Sequence, residues 1–154
     1  FDAISPRVEL SGLAPLLSDL AAENALPKTV LFSLSPNDSA FLNALAVCFQ
    51  KEGVRGCVQQ GAAWWFNDTL SGMRAQLSSM ADAFPIGNFL GMVTDSRSFL
   101  SYARHEYFRR ALCGLFGEWA ENGMIPDLNA LGKTVQDICY NNACEFFSLG
   151  GVQQ

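Results

Sequence analysis

The chain has 154 residues, 49% of them hydrophobic and only 16% charged, with a formal net charge of −5 at pH 7. That length suits one ordinary domain with a sizeable core, and the lack of any basic field excludes nucleic acid as a main partner. The longest apolar runs, residues 44–49 and 89–93, are far too short to span a bilayer, and no charged-then-apolar leader is read, so neither a membrane segment nor a signal peptide is expected. Leu13, Leu16, Leu17 and Leu20 fall at helical spacing behind Ser11 as a cap, which predicts a helix over residues 12–24, stopped before Pro27. "TVLFSL", residues 29–34, reads as a short buried strand, and the capping-rich "SPND" after it starts a helix over residues 39–50. "EGVRG" breaks that helix, and "CVQQ", residues 57–60, is the second strand. The loop "GAAWWFNDT" leads to a helix over residues 70–83, on which Met73, Leu77 and Met80 recur at spacings of four and three. "FLGMVT", residues 89–94, is the third strand, almost uninterrupted in its apolar character, as a strand covered on both faces would be. A long helix over residues 98–121 and a last one over residues 128–147 complete the chain, which opens on Phe1 as a piece of something longer would.

The three strand starts lie roughly 30 residues apart, the length of a strand, a helix and a return loop. This predicts an α/β fold with three parallel βα units followed by C-terminal helices, as one region over residues 1–154. Three parallel strands leave two open edges, which invite association. A closed (β/α)8 barrel takes roughly 250 residues, so the units are expected to be the last three of a TIM-like barrel, a partial barrel in this chain. Active groups of such folds collect at the carboxyl ends of the strands. Asn37, Asp38, Trp64, Trp65, Asn67, Asp68, Asp95 and Arg97 all lie at such ends.

Asp95 closes an apolar strand, where a carboxylate is costly unless it meets a cation, a metal or hydrogen-bond donors. Its bland alternative is a helix cap. Arg97 could simply pair with Asp95, or its planar fork could hold a substrate oxygen pair. Of Trp64 and Trp65, one is accounted for by core packing, and the other is a candidate floor for a sugar pocket. His105 is the only histidine, and Arg109 occupies the second position that a zinc motif would need. A structural hydrogen bond is therefore its expected role, with Arg104, Arg109 and Arg110 along the same helix in salt bridges or in a partner contact. Cys48, Cys57, Cys113, Cys139 and Cys144 contain no C-x-x-C pair, which predicts reduced, buried thiols in a cytoplasmic protein. Neither "SPND" nor "TDSRS" makes a phosphate loop, which disfavours a flavodoxin-like binding module.

The stretches "LPKTVLFSLSPND", "AWWFNDTLSGM", "GMVTDSRSFLSYARHEYFRR" and "DICYNNACEFF" resemble the uronate isomerase family, also called glucuronate isomerase, from about Pro27 to Phe147. Family members are considerably longer, distorted (β/α)8 barrels of the amidohydrolase superfamily, and this chain looks like their C-terminal third. The resemblance implies aldose–ketose isomerisation of D-glucuronate to D-fructuronate and of D-galacturonate to D-tagaturonate, part of carbohydrate catabolism. It also implies a divalent metal, usually zinc, held in part by Asp95, with Arg97 at the substrate and Asp95 engaged in proton transfer. Trp64 and Trp65 are the expected substrate-facing aromatics. The family's metal-binding histidines lie on early strands that this chain does not contain. The isolated chain is therefore expected to be inactive, with no metal of its own, and to need the missing barrel half. The alternative is a non-catalytic fragment that self-associates as a homo-oligomer or docks on that missing half.

Overall fold

The computed structural model describes residues 10–149. Helix α1 (Leu13–Ala22) has Gly12 at its N-cap position. It ends before Pro27 can act: Asn24 takes a left-handed conformation (φ 54°), and the amide of Ala25 reaches back to the carbonyl of Leu20 at 2.8 Å. This is the usual way a helix closes when a small polar residue follows it. Strand β1 (Thr29–Leu31) and strand β2 (Val58–Gln60) pair in parallel, with Thr29 opposite Val58 and Leu31 opposite Gln60. Between them runs helix α2 (Ser39–Cys48), entered through a 3-10 turn at Pro36–Asp38.

β1 is shorter than residues 29–34 because Ser33 is engaged elsewhere. Its hydroxyl donates to Asp38 and accepts from the amide of Ser35, and its carbonyl accepts from the indole of Trp64. A backbone turned toward those partners cannot continue the ladder. Helix α3 (Leu70–Ala83) keeps its expected bounds, with the Thr69 hydroxyl accepting from the amide of Gly72 at 3.0 Å. Helix α4 (Ala103–Glu121) follows a 3-10 turn at Phe99–Tyr102.

The expected third strand is not formed. Residues 89–94 run without a ladder partner, and the sheet described has only β1 and β2. Two causes are visible. Gly91 is left-handed (φ 77°), which breaks the alternation a strand needs. Between this segment and β2 stands the side chain of Gln59, fully buried at 0% exposure. Its amide nitrogen donates to the carbonyls of Gly56 and Asn88, and its oxygen accepts from the amide of Leu90 at 3.1 Å. A side-chain amide thus does what a neighbouring strand would do. Gln59→Leu should remove these partners at nearly constant volume and cost about 2 kcal/mol, the penalty for unpaired buried backbone groups. Urea unfolding monitored by circular dichroism checks this.

The last helix is also interrupted. Helix α5 (Leu128–Gln136) is capped by the Asp127 carboxylate, then widens through a π turn at Asp137–Asn141 into helix α6 (Asn142–Phe146). Asn142 is buried, and its amide donates to the carbonyls of Gly87 and Phe89 at 2.7 and 2.8 Å. The C-terminal helices are thereby tied to the start of the unpaired segment.

Two apolar clusters hold these elements. The larger joins α3, residues 84–92, α4 and Ile138 around Leu77, Met80, Phe89, Leu112 and Phe116; the smaller joins α1, β1, α2 and β2 around Leu17, Leu42, Ala46 and Val58. The cysteines depart from the expectation of buried thiols: all five are free, but only Cys57 is buried, while Cys48 and Cys113 are exposed. Their apolar sequence neighbours sit on helices whose outer faces carry the thiols. Cys139 is half-buried, and that burial pushes its thiol above the ordinary value. Among the described residues no helix is long and apolar enough to cross a membrane.

Candidate functional site

The loops that follow β2 and the 89–94 segment meet at a cleft of about 230 Å³. Its walls are Ala63, Trp64, Trp65, Asp68, Val93, Asp95 and Arg104. The volume is below the roughly 300 Å³ at which small-molecule pockets usually begin, as one wall of a larger site would be. Of the eight residues expected at strand ends, Trp64, Trp65, Asp68 and Asp95 are brought together here. Arg97 is exposed and does not line the cleft. No ion pair joins it to Asp95 among the described residues.

The two tryptophans divide the work. Trp64 is half-buried, packs edge-on against Phe32 at 5.5 Å, and spends its indole N–H on the carbonyl of Ser33 at 3.0 Å. It fixes the loop after β2 to the loop after β1. Trp65 stands edge-on to Trp64 at 6.0 Å and is exposed, offering its ring to the cleft. Asn37 and Asp38 serve structure: the amide of Asn37 donates to the Ser35 hydroxyl, and the buried Asp38 carboxylate accepts from Ser33.

Trp65 and Asp95 share an uncommon backbone. Both are non-glycine residues in the left-handed region, at φ 52° and 46°. Such residues persist only where their surroundings over-determine them, and they concentrate at functional sites. The surroundings here include an ion pair between Arg104 of α4 and Asp68, with Arg104 also donating to the carbonyl of Thr94 at 2.6 Å. Sequence reasoning placed Asp68 at a strand end and Arg104 among salt-bridging residues, without joining them. Their separation along the chain left no local signal that they meet.

The other arginines of α4 behave as expected. Arg109 and Arg110 pair with Glu106, and Arg110 first, then Arg109, hold its carboxyl below the ordinary glutamate value. The His105 side chain makes no hydrogen bond among the described residues, contrary to the structural role expected of it; it lines a separate cavity with Cys139, Tyr140 and Cys144. In a cavity of about 220 Å³ the lining cations are already engaged, Lys28 with the carbonyl of Phe146 and Arg55 with Glu145 and with Asp137 beyond the wall.

Metal binding can be tested on the donor set. No group of three histidine, cysteine, aspartate or glutamate side chains among the described residues is placed to hold a metal ion. Asp95 offers one carboxylate and Asp68 is committed to Arg104, so these residues do not by themselves make up a zinc site.

A family model described as glucuronate isomerase matches residues 1–147. The uronate isomerase of Oceanobacillus iheyensis is 51% identical over 151 residues, a match covering 97% of this chain and 32% of that protein. The uronate isomerase of Caldicellulosiruptor bescii is 53% identical over 148 residues, again covering 32% of its length. Among solved structures, the uronate isomerase of Thermotoga maritima superposes with a TM-score of 0.79 at 34% identity, over 92% of this chain and 29% of that one. The glucuronate isomerase of Caulobacter crescentus superposes with a TM-score of 0.82 at 26% identity, over 96% of this chain and 30% of that one. The chain thus has an α/β fold similar to these structures, and it spans 32% of the length of the relatives it matches.

Proposed function

Since the chain belongs to the glucuronate isomerase family, we propose that it supplies the C-terminal part of a barrel, with β1, β2 and the unpaired 89–94 segment, that interconverts D-glucuronate with D-fructuronate and D-galacturonate with D-tagaturonate. The observation that carries this reading is the convergence of Asp95, Trp64 and Trp65 on one cleft where the loop after β2 meets the loop after residues 89–94. An aldose–ketose isomerisation moves a proton between adjacent carbons through an enediol. A carboxylate held at the mouth of such a cleft can take that proton from one carbon and return it to the next. Arg97 is free to turn a two-pronged donor toward substrate oxygens, since no described residue pairs with it. The exposed ring of Trp65 gives the sugar an apolar face to lie against.

The same geometry supports the need for the remaining barrel. The two-stranded sheet has an open edge on each side among the described residues, and such edges call for a partner. In the complete enzyme Asp95 would be one donor to a divalent metal, which would polarise the sugar carbonyl.

The test is reconstruction. Residues 1–154 replace the matching stretch of the Oceanobacillus iheyensis uronate isomerase, and turnover of D-glucuronate is followed beside that of the isolated chain. The chimera should be active and the isolated chain should not. A folded chimera without turnover, or clear turnover by the isolated chain, overturns the reading.

A further inference from the structure

We propose that Arg104, anchored by Asp68, is a positioning residue that sets the backbone of Asp95 in its left-handed conformation and so aims its carboxylate into the cleft. The inference rests on the functional reading above and adds a residue to it. Arg104 lies at the start of α4 and reaches two different loops with its one fork. One guanidinium nitrogen pairs with Asp68, from the loop after β2, and another donates to the carbonyl of Thr94 at 2.6 Å. Thr94 directly precedes Asp95, so its carbonyl belongs to the peptide plane that carries the Asp95 N–H. Fixing that plane restricts the φ of Asp95, which stands at 46° where an L residue gains nothing on its own account.

Why arginine is used follows from its shape. A planar fork with several fixed N–H groups can satisfy a carboxylate and a carbonyl at once, each in good geometry, whereas an ammonium is a point charge. The pair is partly sheltered, with side-chain exposures of 34% for Arg104 and 16% for Asp68, so water competes with it less than on an open surface. Asp68 is held in turn: it sits one residue before Thr69, which caps α3. The latch therefore ties the start of α3 to the start of α4 across the floor of the cleft. The two non-glycine left-handed residues of the cleft, Trp65 and Asp95, lie one on each loop it joins.

The test uses Arg104→Lys and Asp68→Asn in the chimera and in the 154-residue chain. Lysine keeps a charge for Asp68 but has no second nitrogen, so the Thr94 carbonyl loses the separate donor that Arg104 gives it. It should lower kcat about 10- to 100-fold, the usual effect of losing an orienting partner one shell out, with KM within about threefold and the unfolding midpoint nearly unchanged, since substrate contacts and packing are intact. In the isolated chain, the Asp95 amide resonance of Arg104→Lys should shift in NMR spectra while the α3 and α4 amides stay in place. Full kcat in Arg104→Lys, or an unmoved Asp95 resonance, overturns the positioning role and leaves a plain ion pair. So does a parallel collapse of kcat, KM and stability in both variants. An inactive unsubstituted chimera would instead strike the functional reading, and the resonance of Asp95 still decides the positioning.

Discussion

Asp95→Gly should hold the fold better than Asp95→Ala by about 1 kcal/mol, although both should cost the chimera roughly a hundred- to ten-thousand-fold in turnover, the range general acid–base groups supply. The usual order of these two substitutions is the reverse, because alanine narrows the unfolded ensemble relative to glycine. It inverts here because residue 95 sits at φ 46°. An alanine Cβ in that region costs roughly 1–2 kcal/mol, while glycine enters it freely. Asp95 is exposed, so neither change empties a packed space, and backbone conformation alone separates the two variants. Equal urea midpoints would show that the turn does not hold its left-handed form in solution. If the predicted order appears together with loss of turnover in both, the chain keeps a conformationally costly residue at the one place where its carboxylate is used.

The elements that could be read in the sequence were those whose signals are local. The bounds of α3 followed from apolar spacing, and the parallel pairing of β1 with β2 followed from the length between them. The order of elements was enough to bring Asp95, Trp64 and Trp65 to one cleft, although the segment before Asp95 is not a strand and Arg97, expected beside it, stands outside. What was not legible depends on side chains reaching across the fold. "FLGMVT" has the composition of a buried strand, but Gly91 turns left-handed and Gln59 takes the ladder's place. Hydropathy records neither event. The π turn that presents Asn142 to residues 87 and 89 is equally silent, because its residues fit an α-helix as well. Asp68 was expected only at a strand end and Arg104 only among the charges of α4. Only the meeting of two loops gives them a joint role.

Gly91→Ala is expected to be among the most damaging single-methyl changes in this chain, at about 3 kcal/mol or more. One part is conformational: Gly91 stands at φ 77°, where an L side chain costs roughly 1–2 kcal/mol. The second part is steric. A Cβ built on Gly91 would come within 2.4 Å of the carbonyl oxygen of Ile138, and overpacking of this kind adds roughly 1–3 kcal/mol. The obstructing atom is backbone, inside the π turn, so no rotamer change relieves it. To make room the π turn must move, and with it Asn142, whose amide holds the carbonyls of Gly87 and Phe89. Against a total stability of roughly 5–15 kcal/mol for a domain, that loss should lower the urea midpoint sharply. Turnover in the chimera should fall as well, although Gly91 touches no part of the cleft, because the segment that carries Val93 and Asp95 is the one displaced. A loss below about 1 kcal/mol would mean that the chain can take up the methyl by re-forming residues 89–94 as an ordinary strand. The close approach of Gly91 to Ile138 would then be dispensable for aiming Asp95.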